Sequence, residues 1–277
     1  MGTRFTRQSF LGPDSERTLR EARIAVIGLC GGGSHVAQQC AHIGVGDILT
    51  IDPDNSEESN LHRLVGATLD DVIHERPKTF IAERLIKGIN PDATVTSKPR
   101  DWREVAELLR DRDVIFGCVD KFATRRDLEI TARRYLIPYI DIGMDVHPEG
   151  ECFRITGQVI LSMPGRPCLK CLGFLTDELL AREAAGYGAA GGKPQVVWPN
   201  GVLASSAVGV FIQLVTPWHD NHEEPVYLEY DGNTRTVTKS NRLLYVDDIV
   251  CTHFQTATDL GDPFWHPIQT RKQGTKK

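Results

Sequence analysis

Arg23-Ile24-Ala25-Val26-Ile27-Gly28-Leu29-Cys30-Gly31-Gly32-Gly33 joins a short apolar, partly β-branched run directly to a cluster of glycines. The run reads as a buried strand. Ser34 to Ile43 then has the length and spacing of a helix, stopped by Gly44 and Gly46. Ile48-Leu49-Thr50-Ile51 reads as a second strand and ends in Asp52. Strand, tight turn, helix and strand within about thirty residues make a βαβ unit with a right-handed crossover.

The alternation continues outward from this unit. Helices are expected over Lys78 to Lys87, Trp102 to Leu109 and Arg125 to Tyr135, and strands over Ala93 to Ser97, Val114 to Phe116 and Tyr139 to Ile142. Such repetition predicts an α/β fold with a doubly wound, mostly parallel Rossmann-like sheet. From about Arg154 the character changes. A strand over Ile155 to Leu161 leads to Cys168-Leu169-Lys170-Cys171, and Ala184 to Pro194, rich in Gly and Ala, reads as a mobile loop. A helix over Val202 to Val215 follows. Tyr227 to Tyr230, Arg235 to Thr238 and Leu243 to Val246 read as an antiparallel C-terminal extension. The expected organisation is one domain over 1–277, with a nucleotide-binding half in 1–150 and a second half in 151–277.

Bulk properties narrow the setting. A net charge of −5 argues against a general nucleic-acid binder. No apolar run approaches the roughly 18 residues of a membrane span, so no membrane partner is expected. The N-terminus lacks the apolar core of a signal peptide. Seven scattered cysteines do not form a disulfide framework, and a cytoplasmic, reducing location is expected.

A strand feeding glycines that open a helix directs backbone N–H groups and the positive helix end at an anion. Gly28, Gly31 and Gly33 are therefore expected to let a phosphate approach the backbone closely. Cys30 stands where another glycine would be expected. Asp52, at the end of the second strand, can accept hydrogen bonds from ribose hydroxyls. Up to this point NAD and ATP fit equally well.

The polar run from Asp52 to Arg63 has no role in a plain dehydrogenase. With other segments it resembles the ThiF/MoeB/HesA family of ubiquitin-activating-enzyme-like adenylyltransferases. Those segments are Arg4-Phe5-Thr6-Arg7-Gln8, the glycine turn, Ser59-Asn60-Leu61-His62-Arg63, Lys78 ahead of Asn90-Pro91, Val119-Asp120 followed by Arg125, and Ile137-Pro138-Tyr139-Ile140-Asp141. The resemblance implies activation of the C-terminal carboxylate of a small ubiquitin-fold carrier protein, or of a peptide, by attack on the α-phosphate of ATP. It implies that Arg63 and Lys78 contact the phosphates, that Asn60 sits by the α-phosphate, and that Asp120 holds Mg²⁺. Asp52 with Asp54 would face the ribose. Arg7 would reach across the interface of a homodimer into the neighbouring site. A NAD-dependent oxidoreductase would leave Ser59 to Arg63, Lys78 and Arg7 without a task, and a non-catalytic nucleotide-binding subunit would have no need of Arg63, Lys78 and Asp120 together.

Cys168 and Cys171 have the C-x-x-C spacing of two zinc ligands. Members of the family often complete such a site with a second C-x-x-C. Here the later candidates are Cys251 and His253, which would make a Cys₃His site for structural Zn²⁺. No cysteine lies between Gly173 and Val250, where related enzymes carry a nucleophilic one. The expected product is therefore an acyl-adenylate, passed to a sulfur donor, an amine or a separate conjugating protein.

Overall fold

The computed structural model describes residues 3–185, 194–219, 225–246 and 249–254. Helix α1 (Ser15–Glu21) precedes β1 (Arg23–Ile27), α2 (Gly31–Ile43) and β2 (Asp47–Ile51). Then come α3 (Leu69–Ile73), α4 (Lys78–Ile89), β3 (Thr94–Lys98), β4 (Val114–Gly117) and α5 (Phe122–Arg134). The remainder is β5 (Tyr139–Glu149), β6 (Cys152–Ser162), α6 (Asp177–Ala184), α7 (Val197–Val215), β7 (Tyr227–Asp231) and β8 (Thr236–Lys239).

All eight strands lie in one sheet of order β3-β2-β1-β4-β5-β6-β7-β8. The pairs from β3 through to β5 are parallel, and those from β5 to β8 are antiparallel. The change of direction occurs where β5 and β6 form a hairpin paired from Tyr139↔Ser162 to Glu149↔Cys152. Gly150, in its turn, has φ +63°, a conformation that glycine adopts without strain. The expected boundary between residues 150 and 151 thus falls at a hairpin tip, inside one continuous sheet.

Alternation along the strands divides the core. Ile24, Val26, Ile48, Val114 and Phe116 pack on the face covered by α2, α4 and α7. Ala25, Ile27, Leu49, Ile51 and Ile115 pack on the face covered by α5, by Trp102 and by Leu169 to Leu175. In the parallel half, the strand order reverses between β1 and β4. The carboxyl ends of those two strands open the crevice in which α/β sheets bind ligands.

Several expectations need correction. Helix α2 starts at Gly31, not Ser34, so the glycines form its first turn. Trp102–Leu109 is a 3-10 segment broken at Val105, where φ is −132°, and Asp101 Oδ1 accepts from Arg103 N–H at 2.9 Å to start it. Helix α7 starts at Val197, not Val202. Pro199 reads as a breaker, but it falls in the first turn, where its missing N–H would have no intrahelical partner. Leu243 to Val246 is not a strand. Asn241–Tyr245 is a 3-10 turn whose Ser240 hydroxyl accepts from Arg242 N–H at 3.2 Å. Helix α6 buries no residue, so no apolar face marks it in the sequence. The expected mobile loop lies largely outside the described residues.

Helix α7 is long and apolar enough, with mean hydropathy 1.3, to cross a membrane by length and composition. Half of that window is buried within the protein, against α2, β5 and β6.

A Cβ at Gly33 would lie 1.8 Å from Gly28 O, whereas one at Gly32 would meet nothing nearer than 3.6 Å. Gly33→Ala should therefore destabilise the chain by about 1–3 kcal/mol through overpacking. Gly32→Ala should be neutral to slightly stabilising, since it replaces a helical glycine. Urea midpoints of the two variants that coincide would contradict this.

Candidate functional site

Three strand ends converge at the crevice. β1 ends in the Gly28 turn, β2 in Asp52 and β4 in Cys118-Val119-Asp120. Between them is a cavity of about 460 Å³, within the range of small-molecule sites. Gly28, Asp52, Asp54, Asn60, Arg63, Lys78 and Asp120 all line it.

Asp52 is the anchor. It is 4% exposed. Its Oδ2 accepts from Leu29 N–H at 2.6 Å and its Oδ1 from Asp54 N–H at 2.9 Å. Lys78 Nζ stands 4.0 Å from Asp52 Oδ1 and donates to Asp54 Oδ2 at 2.7 Å. Burial pushes the Asp52 carboxyl up, opposed by Lys78 and by the two backbone N–H groups. Burial also disfavours the charged form of Lys78, but Asp52 and Asp54 outweigh it and raise its pKa. The ammonium is therefore retained in a nearly dry position.

The glycines also pack closely against the rest of the protein. Gly28 has φ +85°, and a Cβ there would lie 2.4 Å from Cys118 O. A Cβ at Gly31 would lie 2.4 Å from Asn200 Nδ2. Gly28, Gly31 and Gly33 thus permit close approach of protein to protein around the turn, and only Gly28 of the three lines the cavity. Cys30, the N-cap of α2, has φ −77°, so a side chain is allowed there, and it faces the cavity near Lys78.

Asn60 closes a 3-10 turn over Glu58–Asn60, with its Oδ1 accepting from Glu57 N–H at 3.2 Å. Arg63 donates from Nη1 to Ser59 O at 2.7 Å, while its Nε is buried without a partner. Asp120 is exposed, and its Oδ1 accepts from Gln195 Nε2 at 3.0 Å. Gln195 O also lies 2.8 Å from His62 Nε2, so this residue links His62 to Asp120. Arg7 is exposed and does not line the cavity of its own chain.

The family model described as the ThiF family matches residues 4–244. The chain belongs to the ThiF family. It is 35% identical over 178 residues to the sulfur carrier protein ThiS adenylyltransferase of Bacillus subtilis, covering 62% of this chain and 51% of that protein. It is 32% identical over 164 residues to the SAMP-activating enzyme E1 of Haloferax volcanii, covering 58% and 57%. The chain thus spans little more than half the length of these curated relatives. The crystal structure of Escherichia coli MccB with ATP superimposes with TM-score 0.71 at 19% identity, over 87% of this chain and 72% of that one. That likeness establishes a shared fold.

Beyond the motifs of the ThiF family, the crevice has a wall that sequence reasoning missed. Asp101, Trp102 and Arg103 line the cavity from the end of β3, as Lys121 and Thr124 do from the start of α5. Their position after carboxyl ends of strands was the available signal.

The second expected cluster also assembles. Cys168 Sγ lies 3.6 Å from Cys171 Sγ and 3.4 Å from His253 Nδ1, and Cys171 Sγ lies 3.3 Å from His253 Nδ1. With Cys251, the four ligand atoms all fall within 4.8 Å of one another. Tetrahedral ligands at 2.0–2.3 Å from a zinc ion stand roughly 3.3–3.8 Å apart, so the donor set fits that metal. A buried network holds the loop. Glu129 Oε1 accepts from Leu169 N–H at 2.8 Å and from Ser162 Oγ at 2.5 Å. Arg133 donates to Arg166 O and Pro167 O at 3.0 and 3.1 Å.

Burial pushes Glu129 up to about 7, against Arg133, the Ser162 hydroxyl and Leu169 N–H. A carboxyl raised on folding binds its proton more tightly in the native state. Its contribution to stability is present below the unfolded value and is lost as pH rises through about 7. Between pH 5 and pH 8 the wild type should lose on the order of 3 kcal/mol that Glu129→Gln, which does not titrate, does not lose. Parallel stability–pH curves from urea titrations would refute this.

Proposed function

We propose that this chain is an ATP-dependent adenylyltransferase acting on the C-terminal carboxylate of a ubiquitin-like or sulfur-carrier protein, or of a peptide. The observation that carries the reading is the common cavity of Asp52, Asn60, Arg63, Lys78 and Asp120 at the strand switch. Hydride transfer has no use for a buried lysine and an arginine beside a strand-end carboxylate, so the NAD reading is disfavoured. The named activities of the relatives support adenylation.

The substrate carboxylate is already ionised at neutral pH and needs no general base. One of its oxygens attacks the α-phosphorus, and the bond from that phosphorus to the oxygen bridging to the β-phosphate breaks. Acyl-AMP and pyrophosphate leave. The barrier is the approach of one anion to another, followed by charge build-up on the departing pyrophosphate. Lys78, held as an ammonium, and Arg63, with an unpartnered Nε, meet that charge. Asp52 and Asp54 face the ribose side. Asp120, an exposed strand-end carboxylate, is suited to hold Mg²⁺, which when bound adds positive charge at the phosphates.

The working unit in this reading is a homodimer, with Arg7 serving the partner's cavity; its exposure away from its own cavity supports that role. Cys168, Cys171, Cys251 and His253 hold a structural zinc. A cytoplasmic, reducing setting, in which the thiols stay available to the metal, belongs to the same reading. The acyl group passes to a sulfur donor, an amine or a conjugating protein.

Labelled pyrophosphate should exchange into ATP when a carrier or peptide with an intact C-terminus is present. Asp120→Ala should abolish exchange while the far-UV spectrum is retained. Tight NAD binding without exchange for any carrier or peptide would overturn the reading. Metal analysis of the purified chain should find about one zinc per chain, lost in Cys168→Ser. A content far below that would remove the zinc assignment.

A further inference from the structure

The carboxylate assigned to Mg²⁺ is held from outside the crevice. Asp120 lies just beyond β4, is exposed, and lines the cavity. An exposed aspartate turns among rotamers, and ordering it on a cation costs side-chain entropy. Here its Oδ1 accepts from Gln195 Nε2 at 3.0 Å, and no other described residue donates to this carboxylate. Gln195 itself does not line the cavity. Its amide therefore takes one oxygen from outside and leaves Oδ2 free for a cation.

Gln195 is fixed in turn through its main chain. Its carbonyl O lies 2.8 Å from His62 Nε2, and a ring nitrogen facing a carbonyl at that distance carries the proton. The next carbonyl, Val196 O, accepts from Asn200 Nδ2 at 2.9 Å, and Val196 is the N-cap of α7. Contacts on successive carbonyls leave this stretch of backbone little freedom. His62 belongs to the turn that carries Asn60 and Arg63, which follows β2, whereas Asp120 follows β4. In the sheet β1 separates those two strands. Gln195 thus joins the phosphate-facing turn to the metal carboxylate, and gives His62 a task that its place in the motif does not.

We propose that Gln195 is a positioning residue: its amide orients Asp120 for Mg²⁺, and His62 orients the amide. The inference rests on the assignment of Mg²⁺ to Asp120. An amide suits this task, because it donates to the carboxylate without adding a charge that would repel the metal. A partner that orients a metal-binding carboxylate is worth about 10–100-fold in metal affinity.

The test uses Mn²⁺ in place of Mg²⁺ and α,β-methylene-ATP as the nucleotide, with free Mn²⁺ read by electron paramagnetic resonance. Gln195→Met keeps the length of the side chain and removes the donor. It should weaken Mn²⁺ binding about tenfold or more, while affinity for the analogue without metal is unchanged. In pyrophosphate exchange its Mg²⁺ requirement should rise by the same factor, and the rate at saturating Mg²⁺ should recover. A merely structural role would not be rescued by metal. His62→Ala should weaken Mn²⁺ binding in the same direction, and His62→Gln, which keeps an N–H donor, should restore it. Asp120→Asn is the reference. If it weakens Mn²⁺ binding while Gln195→Met does not, the inference falls and the metal assignment stands. Loss of metal-free nucleotide affinity in Gln195→Met would also overturn the inference. Should that variant fail to fold, wild-type Mn²⁺ affinity in His62→Ala would do so. Unchanged affinity in Asp120→Asn would overturn the metal assignment and the inference with it.

Discussion

A single buried carboxylate holds the crevice together. Asp52 accepts the N–H of Leu29 in the turn after β1 and the N–H of Asp54 in the segment after β2, so two strand ends are fixed to one side chain. An ionised carboxylate at that depth requires a counter-charge. Lys78 supplies it, and its position is fixed in turn. It opens α4, its N–H donates to Asp54 O at 3.1 Å, and its ammonium donates to the Asp54 carboxylate. The distance between the glycine turn and the ammonium is thus set before any nucleotide arrives, which is the preorganisation that electrostatic stabilisation depends on.

Support from behind the crevice is equally specific. The first turn of α2 has no side chain at Gly31 because the Asn200 amide occupies that space, donating to Val196 O at 2.9 Å. On the other face, α5 starts beside Asp120 and extends to Glu129 and Arg133, which hold the cysteine loop. Phe122 and Ala123 N–H groups at its start donate to the Glu183 carboxylate at 2.9 and 2.8 Å, a favourable placement of negative charge at a helix N-terminus. The nucleotide crevice and the cysteine cluster therefore share one helix.

Much of this was legible in the sequence where the signal is local. β1, its glycine turn and β2 were readable from apolar runs punctuated by glycine, and the antiparallel extension from the change of character after Arg154. The cavity residues from Asp52 to Asp120 came from motif order, and the structure brings them together. Arg7 is not among them within one chain. Features set by tertiary contact were not legible. The reason for Gly31 lies at Asn200, far along the chain, and Asp101 to Arg103 have no motif, only a place at a strand end. Helix α6 has no apolar face to reveal it. Leu243 and Val246 pack inward while Leu244 and Tyr245 are exposed, the three-residue spacing of a 3-10 turn and not the alternation of a strand.

The contact of Asn200 with Gly31 has a consequence for synthesis of the chain. The ribosome releases the glycine turn early, but the helix that backs it emerges well over a hundred residues later. Until α7 is available, the faces of α2, β5 and β6 that it covers remain exposed to water. The nascent N-terminal half therefore carries an open apolar surface through most of translation, the condition under which chaperones bind. A polypeptide ending before Val197 would keep that surface permanently, and its natural fate is capture or degradation.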